Sequence, residues 1–299
     1  MDAVKEFRWF LVILVGFWFL WFFTGGPERA TSQTGIFLKP PAPLETGESY
    51  SSLSSFDGPI IMETGTKNGN GQPSSSFALS IFRNMISLHE TGGARITEPQ
   101  KEFIELRAGT RNLSATSITG WRVMNLSGKT VEISQGTTIP YLSRINIQST
   151  ITLSPGEKAI VATGRSPAGV SFKVNKCSGY FEQFQDFNPP LKKECPSPLT
   201  NVDTPSFGLE DACVNYIKNM PKCQINLEPL PADLSPRCSL FINSQINYNT
   251  CVDKHKNDSD FQEKEWRVFL GESTELWANN HETIKLFDQT GKIVDVLSY

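Results

Sequence analysis

The stretch HETIKLFDQTGKIVDVLSY, residues 281–299, has the pattern of a β-hairpin. Ile284 and Leu286 on one side, and Ile293, Val294 and Val296 on the other, flank the turn signal Asp288-Gln289-Thr290-Gly291. A lone hairpin is not stable in water, so this one must pair with other strands. The residues just before it are not an obvious partner, because they form a long cysteine-bearing segment with helical stretches.

Strand-like residues resume further upstream. From residue 78 the chain runs through LSIFRNMISLHE, KEFIELRAG, ITGWRVMNLSG, KTVEIS and RINIQSTITLSPGEKAIVATG, separated by Gly, Ser and Pro turn clusters. EWRVFLGE and ELWANN continue the style near the end. Short strands with turns every 8 to 12 residues or so argue for an all-β sandwich. Residues 78–163 supply too few strands alone. The sequence therefore predicts that 78–163 and 264–299 fold together, with 164–263 as an insertion.

Four motifs in these strands carry a resemblance. KEFIELRA (101–108), ITGW (118–121), LSPGE (153–157) and DQTGKIVD (288–295) occur in the order of the lamin tail domain, and this part of the chain resembles that family. The resemblance implies an immunoglobulin-like β-sandwich, with Trp121 filling the core and Gly120, Gly156 and Gly291 serving turns. Glu102 and Glu105 are expected to alternate out of a strand face. A coiled-coil rod and a C-terminal C-a-a-X box are absent. The combination of apolar N-terminal segment, linker and cysteine-bearing insertion instead resembles bacterial cell-surface proteins with a lamin-tail domain.

The N-terminal segment is FRWFLVILVGFWFLWFF, Phe7 to Phe23. It is at the short end for spanning the roughly 30 Å hydrocarbon core, and its aromatic flanks suit the interface. Residues 1–24 are thus expected to be one N-terminal transmembrane helix. Lys5 and Arg8 precede the apolar run, so the positive-inside rule places the N-terminus in the cytoplasm and the rest outside. A cleaved signal peptide would give the same compartment. Residues 25–77 are rich in Gly, Pro, Ser and Thr and read as a flexible linker with a reach of about 40 Å.

All six cysteines, Cys177, Cys195, Cys213, Cys223, Cys238 and Cys251, lie in the insertion. An even count outside the membrane reads as three disulfides. Helical spacing around Cys213 and around Cys238, with Ser235 as N-cap and Pro236 at the first helical position, suggests a helical hairpin. That geometry predicts Cys213–Cys251, Cys223–Cys238 and Cys177–Cys195. No close C-x2-4-C or H-x3-5-H pair suggests zinc, and no metal or cofactor is expected. DKHKNDSD (253–260) lacks the glycine and terminal glutamate of a calcium loop.

No residue is assigned a catalytic role. His89, His255 and His281 are far apart, and G-x-S-x-G is absent. A net charge of −3 disfavours a nucleic-acid partner, although Lys173, Lys176, Lys192 and Lys193 offer a local basic patch. Tyr180, Phe181, Phe184 and Phe187 are either a binding patch or the anchor of the insertion on the sandwich. The function expected is non-catalytic binding or scaffolding at the cell surface, toward an unnamed surface protein or glycan.

Overall fold

A computed structural model describes residues 3–23, 78–142, 144–200 and 207–299. The chain divides into two compact units, 1–70 and 71–299. The linker expected at 25–77 lies outside the described residues.

In the first unit a helix, α1, runs over Ala3–Phe23. Among the described residues no helix is long and apolar enough to cross a membrane. The charges explain the shortfall. Lys5, Glu6 and Arg8 occupy the first turns of α1, which leaves an apolar run from Trp9 of about 22 Å at 1.5 Å per residue.

The second unit is rich in sheet. Six strands, β1 (Ile86–His89), β2 (Phe103–Ala108), β6 (Gly136–Thr137), β8 (Lys158–Ala162), β9 (Ser171–Asn175) and β10 (Gln262–Phe269), form one sheet ordered β1-β2-β8-β10-β9-β6. A second sheet is ordered β12-β11-β4-β5, from β4 (Arg122–Met124), β5 (Thr130–Glu132), β11 (Thr283–Phe287) and β12 (Ile293–Ser298). A short pair, β3 (Thr116–Ser117) and β7 (Thr152–Leu153), stands apart from both.

The terminal hairpin is β11–β12, and its partner is β4. Leu286 lies opposite Val123, and Lys285 opposite Met124. The hairpin thus pairs with a strand from before residue 163, and that strand is the one in the GWRVM motif. Ile284, Leu286 and Val294 then join Leu106, Trp121, Val161 and Trp266 in one buried cluster drawn from both larger sheets. Each fully buried aliphatic side chain there contributes roughly 1.5–3 kcal/mol. Gly120, Gly156 and Gly291 have φ of 79°, 79° and 82°, a left-handed turn conformation that glycine adopts without steric cost.

Strand β10 is seated between β8, to which it is parallel, and β9, to which it is antiparallel. Its two faces differ. Trp266 and Val268 point into the main cluster. Arg267 points the other way and donates to the carbonyls of Pro189 and Pro190 in the insertion. Because β9 belongs to this sheet, the insertion begins after Asn175 and not at 164.

Four expectations need correction. Ile145 and Ile147 are not strand core: they are 97% and 88% exposed. The paired strands of that run are Thr152–Leu153 and Lys158–Ala162. ELWANN is a loop, and Leu276 and Trp277 are nevertheless buried. Glu102 and Glu105 do not face solvent; both are buried. Glu102 accepts the backbone N–H groups of Leu276 (2.8 Å) and Trp277 (3.0 Å), and so holds that loop onto the core. Glu105 accepts from Arg107 at 2.8 Å, inside a ladder that continues through Lys158 and Glu265 to Arg267.

Other buried or half-buried carboxylates act in the same way. Glu282 accepts N–H groups from Leu126 (2.6 Å), Ala278 (2.8 Å) and Thr283 (2.7 Å). Asp295 accepts the N–H of Leu88 at 2.7 Å, tying β12 to β1. In the hairpin turn Asp288 accepts the N–H groups of Thr290 (2.8 Å) and Lys292 (3.1 Å) and the Thr290 hydroxyl (2.7 Å). Burial works to raise the Asp288 carboxyl. Hydrogen bonds from Ser80, Thr290 and Lys292 outweigh it and hold the group below its ordinary value of 3.8.

An acid with a depressed folded value stabilises the fold fully above its unfolded value and loses that contribution as pH falls through the folded one. Replacing Asp288 by Ala is therefore expected to cost roughly 2 kcal/mol at neutral pH, measured by urea unfolding of the full chain. Below the ordinary aspartate range the variant and the native chain should converge. A pH-independent difference would refute the role given to this carboxylate.

Candidate functional site

The insertion has its own core, framed by three helices: α2 (Asp211–Asn219), α3 (Pro236–Gln245) and α4 (Tyr248–His255). A 3-10 segment, Ser178–Gln183, precedes them. Ser235 caps α3 by accepting the N–H of Cys238 at 3.2 Å, with Pro236 at the first helical position. Here the sequence reading holds.

All six cysteines are bonded, but in other pairs than expected: Cys177–Cys251, Cys195–Cys223 and Cys213–Cys238. Two local features defeat the helical-hairpin argument. First, the run from Cys238 to Cys251 is not one helix. Asn247 starts a new one by accepting the N–H of Thr250 at 2.9 Å. Second, Pro221 follows the end of α2, and Cys223 has φ of 57°, which turns the chain toward Cys195 instead of α3. The 3-10 segment then brings Cys177 to α4.

The four aromatics of the expected patch separate. Tyr180, Phe181 and Phe187 are buried, whereas Phe184 is 60% exposed. Phe181 and Phe187 pack edge-on against Phe172 of β9, and Phe187 also meets Phe269 of β10. They anchor the insertion to the outer face of the six-stranded sheet. Burial pushes the Tyr180 phenol up to about 12, as suits a packing residue.

Two adjoining grooves share Ile225. One, of about 250 Å³, is lined by Leu142, Phe181, Phe184, Ile225 and Tyr248, with the amides of Asn247 and Asn249. The other, of about 450 Å³, is lined by Tyr216, Met220, Gln224, Ile225 and Leu227, with Asn219 among them. Gln183 holds Ile225 between them by a reciprocal pair of bonds, its Nε2 donating to the Ile225 carbonyl (3.0 Å) and its Oε1 accepting the Ile225 N–H (2.8 Å). The first groove is mostly apolar with two amides, the ordinary composition of a recognition site, and the second adds Gln183, Asn226 and Glu228 to its lining. The sequence reading missed Leu142, Tyr216 and Ile225. The segments that carry them meet only through the folded insertion, so no local spacing marks them.

The candidate basic patch does not assemble. Lys173 pairs with Glu157 at 2.7 Å, Lys176 with Asp258 and Asp260 at 3.2 and 2.5 Å, and Lys192 with Glu263 at 3.8 Å. In DKHKNDSD the carboxylates are used in the same way. His255 is buried with its Nδ1 2.9 Å from Asp258, and Lys176 occupies the space between the two aspartates. Among the described residues no group of three or more His, Cys, Asp or Glu side chains is arranged to hold a metal ion. Of the other histidines, His89 lies 2.9 Å from the Ser87 hydroxyl on β1. The carboxylate opposite it, Glu105, is engaged by Arg107 and Lys158.

No family model matches this chain, and no curated protein is similar to it in sequence.

Non-reducing peptide mapping should recover the pairs 177–251, 195–223 and 213–238. Converting both Cys177 and Cys251 to Ser should lower unfolding free energy by roughly 2–5 kcal/mol. A Cβ on Gly179 would lie 2.6 Å from the Cys223 sulfur and 2.5 Å from the Lys192 carbonyl. Gly179→Ala should therefore cost roughly 1–3 kcal/mol through overpacking. An unchanged melting transition in that variant would refute the close packing around Cys195–Cys223.

Proposed function

We propose that this chain is a non-catalytic extracytoplasmic binding or scaffolding protein. In this reading it carries an immunoglobulin-like sandwich of lamin-tail type and is tethered to a membrane through its N-terminal apolar helix. The observation that carries the proposal is the pair of grooves around Ile225. One is mostly apolar and the other mixed apolar and polar, and most of their lining belongs to an element cross-linked three times and packed onto a sheet. Such a site is held in shape before any ligand arrives, which lowers the ordering cost of binding. Loops and insertions on a rigid scaffold are also where recognition commonly resides.

Three disulfides favour an oxidising compartment. The described side chains of α1, among them Leu14, Phe17 and Leu20, are exposed, and lipid is a fitting cover for such a surface. The aromatics along α1 suit the interface and offset its short apolar length. Pairing of Lys173, Lys176 and Lys192 with carboxylates argues for a protein or glycan ligand over a nucleic acid.

The test is site-specific photo-crosslinking of the full chain on intact cells. Probes replace Phe184 and Leu227, which line the grooves, and Leu126, an exposed residue after β4 in the second sheet. A discrete surface protein or glycan should be captured at the first two positions and not at the third. Phe184→Asp should reduce capture from position 227 at least about tenfold with an unchanged disulfide map. Equal capture at Leu126, recovery of nucleic acid, or failure to reach the domain from outside the cell would overturn the reading.

A further inference from the structure

We infer that residues 144–148, Arg-Ile-Asn-Ile-Gln, form a self-complementary edge through which two copies of this chain pair antiparallel about Asn146. This goes beyond the binding grooves and does not depend on them.

The six-stranded sheet ends at β6, but one more contact lies outside it. Gly136 and Ser149 exchange both backbone hydrogen bonds, the Gly136 N–H to the Ser149 carbonyl at 3.0 Å and the Ser149 N–H to the Gly136 carbonyl at 2.7 Å. Ser149 is thus placed as an added edge residue. Residues 144–148 lead into it, and none of them makes a backbone hydrogen bond among the described residues. In extended chain, successive backbone N–H and C=O groups face opposite edges. Counting back from Ser149, whose groups face β6, the outward-facing positions are Gln148 and Asn146, and the chain bends at Arg144.

The side chains follow the same period of two. Asn146 is half-buried and turned onto its own loop, its Oδ1 accepting the Tyr141 N–H (2.7 Å) and its Nδ2 donating to the Tyr141 carbonyl (3.0 Å). Ile145 and Ile147 are almost fully exposed on the other face. Two isoleucines in alternation beside unpaired backbone make an edge that recruits another strand, unless charge, proline or a covering element blunts it. Residues 144–148 hold no proline, their one charge is Arg144 at the end of the segment, and Ile145 and Ile147 are uncovered. The opposite edge of the same sheet is blunted, because Asp295 of β12 takes the N–H of Leu88 in β1.

The occupant follows from the symmetry of this short sequence. In a two-fold antiparallel pair centred on Asn146, residue 145 of each copy faces 147 of the other, so four isoleucines meet across one face. Asn146 faces its own mate, with outward backbone groups on both sides. Arg144, the lone charge in 141–151, sits at a bend with its guanidinium over the Tyr141 ring, so no like charges meet across the paired residues. Only five residues per copy take part, against the 20–30 or so of a standard interface. The pairing is therefore weak and concentration-dependent, and confinement of both copies to one surface would strengthen it.

The test is sedimentation velocity of the full chain in detergent over a concentration series. The native chain should self-associate. Ile147→Lys, at an exposed position, should raise the midpoint concentration at least about tenfold with an unchanged disulfide map. Ile145→Glu should do the same. The double variant Ile145→Glu/Ile147→Lys sets the opposite charges across from each other twice and should recover association. A native chain that stays monomeric, or one whose association ignores both single variants, overturns the proposal. Loss of association in the single variants without recovery in the double variant also overturns it, and would assign the edge to a different strand or to a lipid surface.

Discussion

The position of β10 constrains everything else in the second unit. This strand returns from the insertion and enters between β8 and β9, parallel to one and antiparallel to the other. Asn175, at the end of β9, then stands opposite Gln262, at the start of β10. The insertion therefore leaves and re-enters the sheet at one neck. Its length adds little closure cost beyond that fixed neck, since loop entropy grows only slowly with length. The Cys177–Cys251 bond lies close to the same neck and reinforces it. The strand also has two working faces. Trp266 and Val268 complete the main core, while Arg267 and Phe269 receive the insertion.

A second principle organises the loops. Acidic side chains that look exposed in sequence are buried or half-buried as acceptors for backbone N–H groups. Glu102 secures the loop at 276–277, Glu282 the approach to β11, Asp288 the hairpin turn, and Asp295 the edge of β1. A charged acceptor forms stronger hydrogen bonds than a neutral one, and a buried backbone donor without a partner would cost roughly 1–3 kcal/mol. These residues account for several letters of the motifs. They are structural, and they lie apart from the grooves of the insertion.

The surface chemistry is divided accordingly. Several charges at the neck of the insertion pair with one another, as Lys176 does with Asp258 and Asp260. Two of the exposed apolar surfaces differ in kind, one around Ile225 and one along Ile145 and Ile147. The first is a concave site on a disulfide-framed element. The second is an open edge of backbone. Their physical requirements differ: a groove selects side chains or a small ligand, and an edge selects extended chain.

The sequence by itself determined the period-two strands, the hairpin at the C-terminal end and its need for a distant partner, the glycine turns, the Ser235 cap and the confinement of all six cysteines to the insertion. These are set by local stereochemistry or by composition, so they can be read residue by residue. The tertiary structure alone decided the cysteine pairing, because it depends on a helix break at Asn247 and on a left-handed turn at Cys223. It also decided that Glu102 and Glu105 are buried, that Ile145 and Ile147 are exposed, and that Phe184 separates from Tyr180, Phe181 and Phe187. In each case a short-range pattern fits both outcomes, and the choice is made by which distant segment arrives to cover the side chain.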